Sequence, residues 1–209
     1  KKTLIIKHFL VKKIFNIFFI IKNLIKFFLP KSPLWMKNNS NVILGHSRRK
    51  FEEGAYVDLY SDPFIDLFPK KIKFSVIEGI ESNDHFSPAK TKYLFYGESL
   101  YTIANIISKF RKLKFNHKEL LFLSSLKKSL YDEFSCSIDI NKKVKNIIQH
   151  WLGMYPLMRL FFKLKKLKLL FVVVSHTREA TIAAAKSLGI TTIELQHGSP
   201  ARGKLNYDY

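Results

Sequence analysis

Short apolar runs alternate with longer stretches of helical periodicity from residue 41 to the end of the chain. Five apolar runs predict β-strands near residues 42–45, 72–77, 92–96, 169–174 and 190–195. Between them, apolar residues at spacings of three and four predict helices from residue 100, across 117–134, from about residue 140 and from residue 177. This alternation is typical of an α/β protein with helices on both faces of a largely parallel sheet.

The clearest unit is the strand–helix–strand segment at the end of this pattern. Residues 169–174 form a continuous apolar run, as expected of a strand that is buried on both faces. Thr177 is the predicted N-cap of the following helix, and Gly189 is the predicted residue after its end. Because crossovers between parallel strands are right-handed, we expect the strands at 169–174 and 190–195 to lie parallel and adjacent.

Residues 4–29 predict one amphipathic helix ahead of the α/β pattern. Its apolar residues recur at spacings of four and three and form one stripe: Ile6, Leu10, Ile14, Ile17, Ile21, Leu24 and Phe28. The opposite arc is polar and consists of His8, Lys12, Asn16, Lys22, Asn23 and Lys26. Pro30 and Pro33 end the helix. We therefore expect a basic amphipathic helical segment over residues 1–35 and an α/β lobe over residues 36–209.

Charges interrupt this helix too often for a membrane span or a signal peptide. Its longest uncharged run covers residues 14–21, whereas a bilayer core needs about 20 apolar residues. No small-residue cleavage site follows the helix. Two interpretations stay open. The helix lies in the interface of an anionic membrane, or it packs its apolar stripe on its own domain and leaves the lysines in water.

Composition excludes several classes of protein. A chain of 209 residues with 47% hydrophobic and 25% charged residues is globular, because a disordered chain has fewer apolar residues. The single cysteine, Cys136, excludes an internal disulfide and a cysteine-based zinc site. A reducing compartment, and hence a cytoplasmic location, is the expectation that follows.

The net charge of +20 is concentrated near the N-terminus. Residues 1–51 hold ten lysines and two arginines but no acidic residue. The whole chain has 30 lysines and 6 arginines, a balance that fits diffuse attraction to anions better than sequence-specific reading of nucleic acid. The charge therefore indicates anionic lipid surfaces or phosphorylated ligands. An AT-rich genome is an alternative source of the lysines.

Polar residues and glycines follow the predicted strands, at the edge where parallel sheets bind ligands. These segments read Gly45-His46-Ser47-Arg48-Arg49, Glu78-Gly79, Gly97-Glu98, Ser175-His176-Thr177-Arg178 and Gln196-His197-Gly198-Ser199. His46, Arg48 and Arg49 are suited to hold a phosphate or a sugar carboxylate. His176 and Arg178 flank a helix N-terminus, which attracts anions. A basic surface turn and a simple helix cap are the structural alternatives.

His197 is the candidate catalytic residue. An imidazole that follows a buried strand can act as a base near neutral pH or donate to a substrate oxyanion. Gly198 allows the backbone to turn sharply or to approach a ligand closely. The alternative is a turn histidine that is bonded to the backbone.

No metal site and no resident cofactor are expected. Asp58, Asp62 and Asp66 recur at a spacing of four with Pro63 between them, which matches no metal-binding loop. The sequence also lacks a glycine-rich dinucleotide fingerprint, a P-loop, a serine nucleophile elbow and a zinc pattern.

The segment Ile193-Glu194-Leu195-Gln196-His197-Gly198, followed by Asn206-Tyr207-Asp208-Tyr209, resembles bacterial GT-B-type glycosyltransferase-like proteins of capsule and surface-polysaccharide clusters. In those proteins a buried strand runs into a Gln-His-Gly turn and then a Tyr-x-Tyr element. The earlier segments His46-Ser47-Arg48-Arg49, Gly54-Ala55-Tyr56 and Asp62-Pro63-Phe64-Ile65-Asp66 are similar to their N-terminal region. The resemblance covers residues 41–209.

This resemblance implies two Rossmann-like lobes with a cleft between them. The N-terminal lobe mainly binds the acceptor, and the C-terminal lobe mainly binds the nucleotide-sugar donor. Residues 36–209 would form the first, Rossmann-like lobe. Because the chain starts without a methionine and stops directly after a motif, we expect a fragment that is inactive alone and whose donor-binding lobe lies outside this sequence.

The resemblance also implies the roles of the strand-end residues. His197 would be the catalytic base or oxyanion partner. The residues that contact the sugar or lipid-linked acceptor would be His46, Ser47, Arg48, Arg49, His176, Arg178, Gln196 and Gly198. The enzyme would transfer a sugar at the cytoplasmic face of the membrane, with peripheral contact through residues 4–29.

Two alternatives to a glycosyltransferase stay open. One is a non-catalytic basic module that binds nucleic acid or anionic membrane through its lysines. The other is an enzyme like the nucleotide-sugar epimerases, which share the two-lobed fold and which the chain resembles more loosely.

Overall fold

The computed structural model describes residues 17–38, 41–46, 48–79 and 85–195. Helix α1 covers residues 17–26, and a 3-10 turn follows at Pro33–Trp35. The strands are β1 Asn41–Leu44, β2 Arg49–Glu52, β3 Ala55–Asp58, β4 Phe74–Glu78, β5 Leu94–Tyr96, β6 Leu169–Val172 and β7 Thr191–Glu194. The further helices are α2 Ser61–Asp66, α3 Glu98–Phe110, α4 His117–Phe134, α5 Ile140–Lys165 and α6 Glu179–Lys186.

Five strands form one parallel sheet in the order β5-β4-β1-β6-β7. The chain runs outward from β1 through β4 to β5, returns across the sheet, and continues through β6 to β7 on the other side. This is the strand order of a Rossmann-like sheet. All five predicted strands are confirmed, and so is the parallel pairing of the last two, in which Leu169 lies opposite Thr191.

Helices cover both faces of the sheet, as predicted, but unequally. On one face α3, α5 and α6 enclose a core that includes Leu44, Phe162 and Leu170. On the other face the short helix α2 packs its Phe64 ring 4.9 Å from that of Phe171. Such burial of apolar side chains on two faces explains why the central strands are continuous apolar runs.

The segment between β1 and β4 holds two elements that the sequence pattern did not predict. Strands β2 and β3 form an antiparallel hairpin, and the residues of its tight turn, Glu53 and Gly54, both have positive φ, at 49° and 80°. This geometry matches the right-handed twist of the strands. Helix α2 follows, and the Asp58 carboxylate accepts hydrogen bonds from the backbone N–H groups of Tyr60 and Ser61 at its start.

The predicted helix at 117–134 is confirmed. Asn116 and Glu119 form a capping box that explains where it starts. The predicted N-cap of the last helix is wrong. Thr177 has a φ of +66°, so α6 begins two residues later, and its N-cap, Arg178, makes no capping hydrogen bond with its side chain. In α5 the helix runs through Pro156 without ending.

Gly153 allows α5 to lie directly on α3. A Cβ atom built at this position would lie 2.1 Å from the carbonyl oxygen of Ala104 and 3.1 Å from Cβ of Ser108. The first of these is a backbone atom, which cannot move aside as the end of a flexible side chain can. The contact between the two longest helices of the buried core face therefore depends on the missing side chain.

We expect Gly153→Ala to lower the free energy of unfolding by about 1–3 kcal/mol, because the added methyl group forces α5 away from α3. In a solvent-exposed helix the same change stabilises the protein by about 1 kcal/mol. The sign of the change in unfolding free energy therefore shows whether α5 lies directly on α3. Urea unfolding measures it. Asn146→Ala, at an exposed position of α5, is the matched control and should be neutral or stabilising. A stabilised Gly153→Ala protein would contradict the close packing.

Candidate functional site at the carboxyl edge of the sheet

The neighbouring strands β1 and β6 end beside each other, and their chains then leave in opposite directions. The chain after β1 leads toward β4, whereas the chain after β6 leads toward β7. In open α/β sheets the crevice at such a switch point is where ligands bind. Gly45 and His46 follow β1, and Ser175 and His176 follow β6, so both segments lie at this edge.

The first segment forms a small polar group on the surface. The Nδ1 atom of His46 accepts a hydrogen bond from the backbone N–H of Arg48 at 3.2 Å. The Arg48 guanidinium donates to the Tyr60 hydroxyl at 3.2 Å, and the His46 and Tyr60 rings lie 5.6 Å apart edge to face. The predicted site residues His46 and Arg48 are thus in contact, and Arg48 remains exposed.

Arg178 ties the start of α6 to the end of β1. Its Nη2 atom donates to the carbonyl oxygen of Gly45 at 3.0 Å. A Cβ atom at Gly79, the residue after β4, would lie 3.5 Å from the same nitrogen. The guanidinium therefore extends across the carboxyl ends of β1 and β4.

His176 is exposed and lines an open cleft of about 610 Å³ between α6 and β7. Glu179, Lys186 and Glu194 supply further polar groups to this cleft. A volume of this size is within the usual range for small-molecule sites.

Acidic side chains use the backbone donors at this end of α6. Glu194 accepts from the N–H of Ser175 at 3.1 Å, and Glu179 accepts from the N–H of Thr177 at 3.1 Å. Both donors precede α6, which begins at Glu179. The expectation that His176 and Arg178 flank an anion-binding helix N-terminus therefore stays a prediction.

Arg49 is buried in an internal ion pair. Its Nε and Nη2 atoms donate to Oε1 of Glu78 at 3.1 and 2.9 Å, and Nη2 lies 3.4 Å from Oδ2 of Asp58. The exposed fraction of its side chain is 1%. Two carboxylates thus already neutralise the charge that was predicted to bind a phosphate or a sugar carboxylate.

The other predicted site residues, Ser47, Gln196, His197 and Gly198, lie outside the described residues. Their strands are described, however. Because β6 lies between β1 and β7 and is parallel to both, the carboxyl ends of these three strands lie at one edge of one sheet. The expected common edge is thus confirmed for His46 and His176, and the placement of His197 stays a prediction.

Sequence reasoning missed a set of mutually neutralising charged residues at the same edge, which we call the buried charge cluster. Its members are Lys26, Arg49, Asp58, Glu78, His85 and Glu98. Three are cationic when His85 is protonated, and three are carboxylates. Burial of charges costs several kcal/mol per ion unless each one is paired, so this balance is a condition for the fold.

His85 is the centre of the buried charge cluster. Its Nδ1 atom lies 2.9 Å from Oε2 of Glu78, and its Nε2 atom makes a short hydrogen bond to Oε1 of Glu98. The imidazole stacks on the Tyr96 ring with 3.4 Å between centroids. Lys26 of α1 lies 3.4 Å from the same oxygen of Glu98. The cluster therefore joins α1, the hairpin, β4, the loop before β5 and the start of α3.

The cluster alters the acidity of its members. Burial opposes the protonation of His85, but its hydrogen bonds to Glu78 and Glu98 and their charges raise its pKa to about 9. Burial also opposes the charge of Glu98, yet the hydrogen bond and charge of His85, its own backbone N–H and nearby Lys26 lower the pKa of that carboxyl. Burial and the two glutamates raise the pKa of the Tyr96 phenol.

The buried charge cluster is suited to stabilise the fold more than to act in acid–base catalysis. Both nitrogens of His85 are engaged, and 16% of its side chain is exposed. Oε2 of Glu98 and Nη1 of Arg49 are buried and have no hydrogen-bond partner within the described part of the chain. The segments Glu78-Gly79 and Gly97-Glu98 were recognised as polar strand ends, but nothing in the sequence pattern singled out His85, since its two partners are seven and thirteen residues away.

The aspartates that resemble a metal cluster in the sequence have structural partners. Asp62 accepts from the backbone N–H of Asp58 at 2.7 Å and from the Thr91 hydroxyl, and Asp66 pairs with Lys90 at 2.6 Å. Among residues 17–38, 41–46, 48–79 and 85–195, no group of three or more His, Cys, Asp or Glu residues is placed to hold a metal ion.

Comparison with known proteins yields no relative for this chain: no family model, no curated protein and no solved structure matches it.

Removal of His85 should change how stability depends on pH. A pKa of about 9 in the folded state, against about 6.5 when unfolded, stabilises the fold fully below pH 6.5. This contribution is lost as the pH rises from 6.5 through 9. We therefore expect the free energy of unfolding of the natural protein to fall, relative to that of His85→Gln, by about 1–3 kcal/mol over this interval, because solvent screening of a partly exposed group reduces the full effect of the shift.

Urea unfolding at a series of pH values measures the effect, and the difference between the two proteins removes groups common to both. His117→Gln, which replaces an exposed imidazole at the start of α4, is the matched control and should follow the natural protein. Parallel curves for the natural protein and His85→Gln would show that His85 is not a buried cation.

Proposed function

We propose that this chain is the acceptor-side lobe of a glycosyltransferase that transfers a sugar from a nucleotide-sugar donor during synthesis of a bacterial surface polysaccharide. The observation that carries the proposal is the switch point of the Rossmann-like sheet, at which His46, Arg48 and His176 stand at adjacent strand ends. The open cleft beside His176 supports it, since the cleft has the volume of a small-molecule site and carries several polar side chains on a partly apolar lining.

The proposed roles follow from the chemistry of each residue. His197 takes the proton of the acceptor hydroxyl as the acceptor oxygen bonds to the anomeric carbon, and the nucleoside diphosphate leaves with the bonding electron pair. Gln196 and Gly198 are proposed to contact the acceptor beside His197. His46, Ser47, Arg48 and His176 contact sugar hydroxyls or an anionic group of the acceptor.

Two of the basic residues act in this proposal by positioning. Arg178 holds the start of α6 against the end of β1 through its bond to Gly45, and Arg49 holds the hairpin against β4 through Glu78. The nucleotide sugar is a substrate bound mainly by a second lobe, and the reaction needs no resident cofactor.

The test uses the protein with both lobes. It is incubated with a panel of nucleotide sugars and a membrane extract that contains lipid-linked acceptors, and released nucleoside diphosphate and labelled product are measured. We expect acceptor-dependent transfer with one donor. His197→Ala should reduce turnover about 10²–10⁴-fold, because a general base contributes this much, with little change in melting temperature.

His117→Ala, at an exposed position of α4, is the control and should keep full activity. A folded His197→Ala enzyme with full activity would remove the catalytic role of that residue. An isomerised donor without transfer would indicate an epimerase-like enzyme. Absence of any reaction with every donor would favour a non-catalytic basic module.

A further inference from the structure

Helix α1 directs polar as well as apolar side chains toward the rest of the protein. Asn23 is buried, with 2% of its surface exposed. Lys26 pairs with Glu98, the first residue of α3, and Phe27 packs against the main core. The polar arc predicted from the sequence therefore faces the protein at Asn23 and Lys26, whereas Lys22 of the same arc is exposed.

A line of large apolar side chains points away from the protein. The line consists of Phe18, Ile21, Ile25 and Phe28, with exposed fractions of 74%, 49%, 58% and 68%, and continues through Leu29 at 50% and Trp35 at 58%. We call these six residues the outer stripe. The spacings of three, four and three place the first four on one face of the helix. Soluble surfaces rarely leave so many contiguous large apolar side chains in water.

The segment is held firmly to the lobe, so the outer stripe is not a loosely attached end. Lys165 donates to the carbonyl oxygens of Leu34 and Met36 at 2.6 and 2.7 Å. The backbone N–H of Tyr96 donates to the carbonyl oxygen of Lys31 at 2.8 Å. Together with the pair between Lys26 and Glu98, these bonds fix the end of α1 and the following turn near the carboxyl end of β5.

Charge identifies the surface that the outer stripe fits. Residues 1–51 hold ten lysines and two arginines and no acid. Lys26 and Arg49 pair with carboxylates of the lobe, whereas Lys22 and Lys31, which lie between members of the stripe in the sequence, are exposed. A second copy of this chain would bring the same positive charge to the contact and be repelled. An anionic lipid surface offers both an apolar interior for the stripe and negative head groups for the lysines.

The outer stripe would contact a membrane at its surface region and not span it. No helix in the described part of the chain is long and apolar enough to cross a membrane. A helix whose inner side is bonded to its own domain and whose outer side is apolar would lie in the membrane plane, with the outer side at the boundary between head groups and acyl chains. An indole at this boundary, such as that of Trp35, is favoured there.

We propose that the outer stripe of α1 docks this protein on a bilayer that contains anionic lipid. Lys26 at the end of α1 pairs with Glu98, and Lys31 in the following turn bonds to Tyr96, the last residue of β5. Docking therefore holds the ligand-binding edge of the sheet near the lipid surface. If the proposed function is correct, on which this last step rests, the acceptor is lipid-linked and is presented from the membrane.

The experiment uses the full chain and vesicles of phosphatidylcholine with 30% phosphatidylglycerol, compared with vesicles of phosphatidylcholine alone. Sedimentation with vesicles gives the bound fraction. We expect Phe18→Gln with Ile25→Gln to weaken binding to anionic vesicles at least tenfold, because each exposed side chain loses its transfer into an apolar phase. Lys22→Gln with Lys31→Gln should weaken it by about fivefold per lysine, the factor that about 1 kcal/mol per charge gives.

Phe51→Gln with Leu67→Gln is the matched control, because these side chains are 58% and 80% exposed and belong to the hairpin and the end of α2. It should bind vesicles like the natural protein. Circular dichroism and melting temperature establish that each variant folds. If Phe18→Gln with Ile25→Gln lowers the melting temperature, Ile21→Gln with Phe28→Gln repeats the test on the same stripe.

Equal binding by the natural protein and the stripe variant would overturn the proposal, and so would equal binding to neutral and anionic vesicles. A dimer in the absence of lipid that the stripe variant abolishes would identify the stripe as a self-association surface instead. Binding to a single-stranded oligonucleotide that the same variant abolishes would identify a nucleic-acid surface.

Vesicle binding needs no nucleotide sugar, so its failure is distinguishable from failure of the proposed function. A second experiment tests presentation of the acceptor. The protein with both lobes receives either a lipid-linked acceptor in vesicles or a water-soluble analogue of it. The stripe variant should lose most transfer to the first and keep transfer to the second. Loss of both to the same extent would overturn the link between docking and acceptor presentation.

Discussion

Neutralisation of buried charge at the carboxyl edge of the sheet is the constraint on which the rest of the structure depends. Arg49 and His85 bring two cations to Glu78, and Glu98 is held by His85 and Lys26. Removing one partner of such a set leaves an unpaired buried charge, which costs about 3–5 kcal/mol. The hairpin, β4, the loop before β5, the start of α3 and α1 therefore take their relative positions from one set of ion pairs.

The same ion pairs separate a closed part of the edge from an open part. Around β4 and β5 the polar groups bond to one another and are buried, whereas around β1 and β6 they include exposed residues and an open cleft. A side chain that already bonds to two carboxylates cannot also bind a substrate anion without losing them. For this reason the proposed ligand contacts belong to His46, Arg48 and His176, and the cluster supplies the frame that holds the hairpin and α1 against the strand ends.

Features that depend on interactions between residues close in the sequence were predictable, and features that depend on distant ones were not. The sheet strands, α3, α4 and the parallel pairing of β6 with β7 rest on local periodicity, caps and a general handedness rule, and the structure has them where the pattern placed them. The hairpin and α2 were not predicted because two four-residue strands, of which β2 is largely exposed, and a six-residue helix are too short to show a clear period. Thr177 was misjudged as a cap because a threonine beside a glutamate has the composition of a helix start, whereas its positive φ is set by the turn between β6 and α6.

The sequence by itself determined the class of fold, the edge of the sheet to which polar residues come, and the basic, apolar character of the N-terminal segment. These properties depend on residue type and spacing along one stretch of chain. The tertiary structure decided which of those residues are exposed and which are buried or paired with another charge. It paired Arg49 with Glu78 across 29 residues and Lys26 with Glu98 across 72 residues, and it turned Asn23 inward and Phe18 outward. Burial and ion pairing arise between segments that are distant in the sequence, so no local pattern contains them.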